Sequence, residues 1–240
     1  MVINNTVNMT MSVLESASKT PSIKRVVVTS SSTAASQMIF DEAYNLTPDC
    51  WNDTAVKMAW SDEPNAFMTY AASKVQAEKA LWKFVNEKKP HFAVNTVLPD
   101  FVCGPPLSAE HQGYPSSIGF FKMLWEGLPG ETGWFMLRGQ WMIDAADMAR
   151  LHVAALAHPD AKNERIFAYG HRKTWTEWIK LLKQWYPDRT YPQPMQHEPA
   201  DLSNVTARPE AERYLKWLNG EGFKPMEESI RETVESFPKN

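Results

Sequence analysis

Cysteine is scarce in this sequence of 240 residues, which carries only Cys50 and Cys103. The two thiols lack the spacing of metal ligands, and one pair does not make a disulfide framework for a chain of this size. The six histidines show no helical pairing with a carboxylate, which a metal site would favour. We therefore predict no metal centre.

Long runs of one charge are also missing, since 25 Lys and Arg residues and 28 Asp and Glu residues are mixed and leave a net charge of -3. This balance argues against a nucleic-acid groove or a membrane-surface patch. Apolar runs such as Val26–Val28 are too short to span a bilayer, and the first basic residue after Met1 is Lys19, so the pattern of a secretory leader is not present. We expect a cytoplasmic protein whose partner is a small molecule.

Glycine does not occur before Gly104. The turn that holds a dinucleotide pyrophosphate needs glycine for its tight bend and for close backbone approach, so such a turn is excluded ahead of Ser31. Residues 127–133 do repeat glycine at the matching spacing. That stretch follows a predicted helix instead of a strand, and Pro129 removes a backbone donor, so we predict a surface turn there.

The hydrophobic pattern predicts an α/β protein. Consecutive β-branched and apolar residues at 24–30, 92–99 and 165–170 predict strands buried on both faces, as in a parallel sheet. Apolar residues at intervals of three and four predict helices at residues 3–18, 66–88, 116–128, 144–157, 174–185, 210–218 and 226–237. The last third of the chain is therefore expected to be mostly helical.

Tyr70 and Lys74 provide the clearest chemical motif. Four residues apart on a helix, they lie about 40° apart around its axis and face the same way. A nearby ammonium group lowers the pKa of a phenol from about 10 and makes it a usable acid or base near neutral pH. Many helices carry a tyrosine and a lysine at this spacing by chance. The surrounding residues must therefore show whether the pair belongs to an active site.

Three further segments follow predicted strands or begin helices where ligands of open α/β sheets bind. Hydroxyl groups at 29–32 end the first strand, the segment 98–105 ends the second, and the segment 144–150 begins a helix with two aspartates. Each has an ordinary explanation by itself, such as a helix cap at Asp144. Together with Tyr70 and Lys74 they form a far more specific pattern.

These residues resemble the extended short-chain dehydrogenase/reductase family, in the branch of dihydroflavonol reductases and NADPH-dependent aldehyde and methylglyoxal reductases. The resemblance covers nearly the whole chain. It implies that Ser31 polarises a substrate carbonyl, Tyr70 delivers a proton to the carbonyl oxygen, and Lys74 supports Tyr70 and holds the nicotinamide ribose. It also implies a cofactor, NADP(H), contacted by Tyr70, Lys74, Pro99 and Val102, and a place in secondary metabolism.

The resemblance further implies a partial Rossmann-like parallel sheet with flanking helices and a small, mostly helical C-terminal substrate lobe. Residues 1–158, with 159–172 returning as a strand, correspond to the sheet domain, and residues 173–240 to the lobe. The family begins with a βαβ half carrying a Gly-x-x-Gly-x-x-Gly turn, which this sequence lacks, so we expect an N-terminally truncated member. The sequence also departs from the family at Asp100 and Ala146, where relatives generally carry a small or uncharged residue and arginine, respectively.

Three functions stay open on this sequence. The first is NAD(P)H-dependent reduction of a small hydrophobic ketone or aldehyde, by resemblance. The second is a cofactor-independent isomerase, dehydratase or cyclase that uses Tyr70 and Lys74 for acid/base chemistry, which the missing glycine turn favours. The third is a non-catalytic remnant, because fold does not determine function.

The sequence also leads to expectations about the rim of the pocket and the edge of the sheet. An aromatic-rich pocket rim is predicted, although each member is equally expected in the core; its members are Phe101, Met136, Trp141, Phe167 and Trp175. The strand at 26–30 is predicted to be an unpaired sheet edge, which invites pairing. We therefore expect a homo-oligomer or a partner chain at this edge, or a rearranged N-terminal helix covering it.

Overall fold

A computed structural model describes residues 2–127 and 138–238. Its helices in chain order are α1 (Val2–Ser18), α2 (Ser32–Ala35), α3 (Asp53–Ala59), α4 (Ala66–Lys88), α5 (Ala109–Gln112), α6 (Ser117–Trp125), α7 (Ala145–Ala157), α8 (Trp175–Trp185), α9 (Arg208–Asn219) and α10 (Met226–Glu235). Its strands are β1 (Arg25–Thr29), β2 (Asn45–Leu46), β3 (Ala93–Pro99), β4 (Phe101–Cys103), β5 (Gln140–Asp144), β6 (Arg165–Ala168), β7 (His171–Lys173) and β8 (Asn204–Val205).

The main sheet consists of three parallel strands in the order β1-β3-β6. Register is fixed by pairs such as Val27 with Asn95 and Val97 with Ile166. The central strand β3 is buried along most of its length, whereas β1 lies at the edge and is only partly buried. The predicted α/β class is therefore confirmed, and within residues 2–127 and 138–238 β1 pairs with β3 on one side only.

Helices cover both faces of this sheet. On one face, Leu14 of α1 and Leu81 of α4 pack with Val94 of β3. On the other face, Leu151 of α7 packs with Ile166 of β6. Burial on both faces explains why the sequences of these strands are continuous apolar runs and do not alternate between apolar and polar residues.

A second sheet, in the order β4-β5-β7, extends the fold beyond the end of β3. Strands β4 and β5 run parallel, and β7 is antiparallel to β5. An aromatic core joins this sheet to α6, α8 and α10, with Phe101, Phe121, Trp175 and Trp178 at its centre. The ring centroids of Trp175 and Trp178 are 4.5 Å apart.

The structure corrects several predicted boundaries. The strand predicted at 165–170 ends at Ala168, and a new strand in the second sheet, β7, begins at His171. The helix predicted over 116–128 ends at Trp125, because Gly127 adopts a φ of +71°, a left-handed conformation that stops helices. Strand β5 was not predicted, since it begins in a polar segment and its pairing partners are distant in sequence.

A buried ion pair connects α4 to the sheet. Glu78 accepts a hydrogen bond from Arg165 Nε at 2.8 Å, and both side chains are almost fully buried. The same carboxylate accepts hydrogen bonds from Ser30 Oγ at 2.6 Å and Thr96 Oγ1 at 2.7 Å. One side chain of α4 is thus linked to β3, to β6 and to the residue that follows β1.

Two searches concern only the part of the chain that the structure describes. No helix there is both long enough and apolar enough to cross a bilayer. No group of three or more potential metal ligands is assembled there either.

Candidate active site

A cavity of about 420 Å³ lies at the carboxyl ends of β1 and β3. This is the position at which open α/β sheets bind their ligands. Its polar lining includes Thr29, Ser31, Tyr70, Lys74, Asp100 and Gln140, and its apolar lining includes Met38, Phe40, Phe67, Pro99, Phe101, Val102 and Phe120. The five residues predicted to act on substrate or cofactor, Ser31, Tyr70, Lys74, Pro99 and Val102, are thereby brought to one cavity.

Helix α4 presents Tyr70 and Lys74 to this cavity. The helix starts next to them, because the Asn65 side chain caps it by accepting a hydrogen bond from the Met68 amide at 2.8 Å. Lys74 Nζ lies 5.9 Å from the centroid of the Tyr70 ring and donates a hydrogen bond to the Thr29 carbonyl at 3.4 Å. The lysine therefore contacts both the end of β1 and the phenol.

Burial lowers the pKa of Lys74, and the charge of Glu78, one turn further along α4, opposes that shift. Tyr70 remains accessible, with 44% of its surface exposed. An accessible phenol beside a partly desolvated ammonium group is an arrangement that can transfer a proton to a bound molecule.

Ser31 is held in place by the helix that follows it. It is the N-cap of α2, and its Oγ accepts hydrogen bonds from the Thr33 amide at 3.2 Å and from Thr33 Oγ1 at 2.9 Å. Its own proton is left to donate elsewhere, and Ser31 lines the cavity. The neighbouring Ser30 also lines the cavity, but its hydroxyl donates to Glu78, which gives it a role in joining α4 to the sheet.

The aromatic rim differs from the predicted one. Of the predicted rim residues that the structure describes, only Phe101 lines the cavity. Trp175 packs in the aromatic core, Phe167 packs with Tyr169 behind the sheet, and Trp141 packs against Tyr169 and donates its indole N–H to Ser203 Oγ at 3.0 Å. Met136 and most of the glycine repeat at 127–133 lie outside the described residues.

Three further aromatic residues that line the cavity were missed by the sequence analysis. They are Phe40, Phe67 and Phe120. A signal existed for Phe67, which precedes Tyr70 by three residues and therefore shares its helix face. Phe40 lies in the loop after α2, where no periodicity reveals orientation, and Arg138 stacks over its ring at 4.9 Å.

The aspartates at the start of α7 support the fold and do not line the cavity. Asp144 caps α7 by accepting a hydrogen bond from the Ala146 amide at 2.7 Å, and it also accepts one from Ser229 Oγ at 2.7 Å. Asp147 pairs with Arg150 at 2.9 Å. The expectation that this segment joins the site is therefore wrong, and the helix-cap interpretation of Asp144 is correct.

Asp100 is the most perturbed acid of the cavity. Burial is the main cause that raises its pKa to about 7, and the nearby Asp201 raises it further. Hydrogen bonds from Ser32 Oγ at 2.9 Å and from the Trp141 amide at 3.2 Å act in the opposite direction. The sequence drew attention to Asp100 as a departure from the family pattern, and the structure places it in the same cavity as Tyr70.

The cavity residues fit one end of a nicotinamide cofactor. Tyr70, Lys74, Pro99 and Val102 all line this cavity, and the Lys74 ammonium group offers donors that suit ribose hydroxyls. Among the described residues no glycine precedes Gly104, so that part of the chain contains no glycine turn for the phosphate end of such a cofactor. Gly104 itself serves packing, since a Cβ atom there would lie 2.7 Å from that of Ala145.

Comparisons with known proteins agree with this architecture. Aldehyde reductase 2 of Sporidiobolus salmonicolor is 32% identical over 240 residues, covering 98% of this chain and 69% of its own length. The ketoreductase nvfG of Aspergillus novofumigatus is 34% identical over 232 residues, covering 93% of this chain and 67% of its own length. The crystal structure of Gre2 from Candida albicans in complex with NADPH matches with a TM-score of 0.79 at 24% identity, over 96% of this chain and 69% of that one.

The chain belongs to the extended short-chain dehydrogenase/reductase family, as the relatives and the shared fold show. The relatives named above are an aldehyde reductase and a ketoreductase, and the chain spans about two thirds of their length. No family model matches the sequence. The likeness to Gre2 demonstrates the common fold, and the predicted roles of individual site residues stay predictions.

Proposed function

We propose that this protein reduces small hydrophobic ketones or aldehydes with a nicotinamide cofactor, and that NADPH is the form it uses. The observation that carries the proposal is the meeting of Ser31, Tyr70 and Lys74 in one cavity at the carboxyl end of the sheet. The relatives named aldehyde reductase and ketoreductase support this class of reaction. The NADPH complex of Gre2 supports the choice of cofactor.

The proposed mechanism assigns one task to each side chain. Ser31 donates a hydrogen bond to the carbonyl oxygen of the substrate and fixes its position. Tyr70 gives its phenolic proton to that oxygen as the alcohol forms. Lys74 stabilises the negative charge left on Tyr70 and would hold the ribose of a reduced nicotinamide cofactor, which when bound would supply the hydride to the carbonyl carbon.

The apolar lining sets the proposed substrate class. Phe40, Phe67, Phe101 and Phe120 surround the polar residues, and Arg138 covers Phe40. Such walls favour a compact, largely apolar carbonyl compound, because burying apolar surface is the main source of its affinity.

The first experiment is a titration of the purified chain with NADPH, NADP⁺ and NADH. Energy transfer from the ten tryptophans to the reduced nicotinamide reports binding, and calorimetry provides an independent check. We expect saturation with NADPH at about micromolar concentration. Absence of binding up to about millimolar concentration in the folded chain would contradict the proposal.

A second candidate function rests on the presence of Tyr70 and Lys74 in one cavity, since this pair can act as acid and base without a nucleotide. In this case Tyr70 and Lys74 move a proton at an activated carbonyl compound without hydride transfer, as in an isomerase, dehydratase or cyclase. Turnover without added nucleotide that is lost in Tyr70→Phe would select this candidate. The absence of both nucleotide binding and turnover would indicate a non-catalytic member of the family.

We also propose the division of the chain into a sheet domain, residues 1–158 with the strand returning in 159–172, and a mostly helical lobe, residues 173–240. The lobe supports the cavity from behind. Trp178 of α8 packs edge to face on Phe101, with ring centroids 5.7 Å apart. Substitution of Trp178 by alanine is expected to weaken substrate binding through Phe101, which also lines the cavity.

Finally, we propose that two copies of the chain associate at the β1 edge. This strand is the last of its sheet among the described residues, and an exposed Leu156 lies on α7 one turn beyond His152, which hydrogen-bonds Thr29 of β1 at 2.8 Å. Leu156→Lys is expected to shift sedimentation velocity profiles toward monomer. Leu107→Lys changes a fully exposed leucine elsewhere and is the matched control.

A further inference from the structure

One wall of the cavity is formed by the loop between α2 and β2. Gln37, Met38 and Phe40 of this loop line the cavity. Met38 has a φ of +59° and Asp41 a φ of +58°. This left-handed conformation costs free energy in residues other than glycine and persists where the surrounding structure holds it. The position of Phe40 therefore depends on contacts that the loop makes with other parts of the chain.

Asp41, the residue after Phe40, provides such contacts. Its backbone amide donates a hydrogen bond to the Ala200 carbonyl at 2.8 Å. Its side-chain Oδ1 accepts a hydrogen bond from the Ala200 amide at 3.1 Å, and its Oδ2 lies 3.0 Å from His197 Nε2. Backbone and side chain of Asp41 thus join the loop to one short stretch of the chain.

The same stretch also supports the other side of this wall. Arg138 lines the cavity, and its guanidinium carbon lies 4.9 Å from the centroid of the Phe40 ring. The next residue, Gly139, donates its amide hydrogen to the Pro199 carbonyl at 2.9 Å and accepts a hydrogen bond from the Asp201 amide at 2.7 Å. Phe40 and Arg138 are therefore each followed by a residue that is bonded to this stretch.

The stretch itself, residues 199–201, is firmly supported. Gly139 packs so closely against it that a Cβ atom at Gly139 would lie 3.0 Å from the Cβ of Ala200. On its other side, Glu198 accepts a hydrogen bond from the Thr176 amide at 2.8 Å, at the start of α8. Helix α8 packs in the aromatic core. The position of residues 199–201 is thus passed on to both side chains of the wall.

Among the described residues that line the cavity, neither Asp41 nor any member of 199–201 is included. An effect of Asp41 on a bound molecule must therefore pass through Phe40 and Arg138. We propose that Asp41 is a positioning residue that holds Phe40 against the bound substrate and thereby selects carbonyl compounds with an aromatic ring beside the carbonyl group. This inference rests on the proposed function, because the selected compound is the substrate that Tyr70 would protonate.

An aromatic substituent depends most on the position of this wall. Phe40 shares the cavity with Phe67, Phe101 and Phe120. Aromatic rings attract one another in offset or edge-to-face arrangements, which require each ring at a defined place and angle. A saturated ring of the same size buries apolar surface but has no such requirement. Displacement of Phe40 should therefore weaken binding of an aryl ketone more than binding of its saturated counterpart.

The test compares acetophenone with cyclohexyl methyl ketone, whose ring has the same number of carbon atoms but is saturated. Dissociation constants are measured by ligand-observed NMR titration of the full chain. The wild type should bind acetophenone about fivefold better, which corresponds to one well-placed aromatic contact. Equal affinity for the two ketones, or binding of neither, would overturn the inference.

Two substitutions of Asp41 separate its side-chain bonds from its backbone conformation. Asp41→Gly removes the carboxylate but tolerates the positive φ, and it should lose most of the acetophenone preference. Asp41→Asn keeps an oxygen for the Ala200 amide and should retain the preference within about twofold, because the exposed pair with His197 contributes little. A preference that Asp41→Gly retains would overturn the inference.

Glu42→Gly is the matched control, since it removes an exposed carboxylate and adds the same backbone freedom one residue further along. It should behave as wild type. Loss of the preference in this control would show that loop flexibility, and not the bonds of Asp41, is responsible, and would overturn the inference. If Asp41→Gly does not fold, Asp41→Ala takes its place with the same expected result.

A double-mutant cycle shows whether Asp41 acts through Phe40. Phe40→Ala should abolish the acetophenone preference. Adding Asp41→Gly to Phe40→Ala should change the preference no further, because the ring that Asp41 positions is absent. An additional loss of acetophenone affinity in the double variant, without an equal loss for the saturated ketone, would overturn the inference.

Turnover with NADPH on the same samples separates this inference from the proposed function. In Asp41→Gly, the KM for acetophenone should rise about fivefold while kcat stays within about twofold, whereas an equal fall of kcat for both ketones would indicate general destabilisation and overturn the positioning role. Reduction of both ketones without an acetophenone preference leaves the proposed function standing and removes the role of Asp41. An Asp41-dependent binding preference without NADPH-dependent reduction supports the positioning role and contradicts the proposed function.

Discussion

Replacing Asp100 by asparagine should change how the stability of this protein depends on pH. The folded chain raises the pKa of Asp100 to about 7, mainly through burial, whereas an aspartate in the unfolded chain titrates at about 3.9. A raised folded-state pKa means that the folded state holds a proton that the unfolded state has released. The stabilising contribution is complete below about pH 4 and is lost progressively as the pH rises to about 7.

The magnitude follows from the width of that window. Between about pH 5 and pH 7, two units at 1.36 kcal/mol each give a loss of about 3 kcal/mol. The cavity leaves Asp100 partly accessible to water, which reduces the loss, so we expect about 1.5 to 3 kcal/mol. Asparagine has no proton to lose, and its constant cost or gain cancels when two pH values are compared.

The assay is urea unfolding of the wild type and Asp100→Asn near pH 5 and near pH 8. The stability difference between the two proteins should move in favour of the variant at the higher pH by the amount given above. A difference that stays constant within about 0.5 kcal/mol would refute the electrostatic reasoning, because it would show that Asp100 is ionised in the folded protein at both pH values.

The remaining predictions concern the proton donor, the buried ion pair and the sheet edge. Tyr70→Phe should lower kcat/KM for carbonyl reduction about a hundredfold to ten-thousandfold while circular dichroism stays unchanged, and full activity would remove Tyr70 from the mechanism. Glu78→Gln should destabilise the chain by about 3 to 5 kcal/mol in urea unfolding, since it leaves the buried Arg165 without its partner, whereas Glu87→Gln at an exposed pair should have little effect. Leu156→Lys should reduce self-association in sedimentation velocity, and an unchanged profile would count against pairing at the β1 edge.

The parts of the site that were predictable share a local cause. Tyr70 and Lys74 lie on one helix, where a spacing of four residues fixes their common direction. Ser31 and Pro99 follow buried strands, and the carboxyl ends of parallel strands meet at one edge of the sheet. Hydrophobic periodicity and the order of elements along the chain were sufficient to predict that these residues lie close together. The structure places all of them in one cavity.

The residues that were missed depend on contacts between distant segments. In the sequence, Phe167 and Trp175 are large aromatic residues like Phe101. The structure buries them in two separate cores and leaves Phe101 at the cavity. In the sequence, Glu78 is one of several charged residues on a long predicted helix. Its importance appears only when Arg165, 87 residues later, is placed against it.

By itself, the sequence determined the α/β class, the parallel direction of the main strands and the family of the protein. These follow from hydrophobic periodicity and from motifs whose members are close in the chain or end successive strands. Only the tertiary structure decided which aromatic residues face the cavity, that Asp144 caps a helix outside it, and that Asp100 is enclosed beside Asp201. Burial and charge at a site depend on groups brought together from distant positions, and the free energy of a buried carboxyl group depends on those neighbours more than on its place in the sequence.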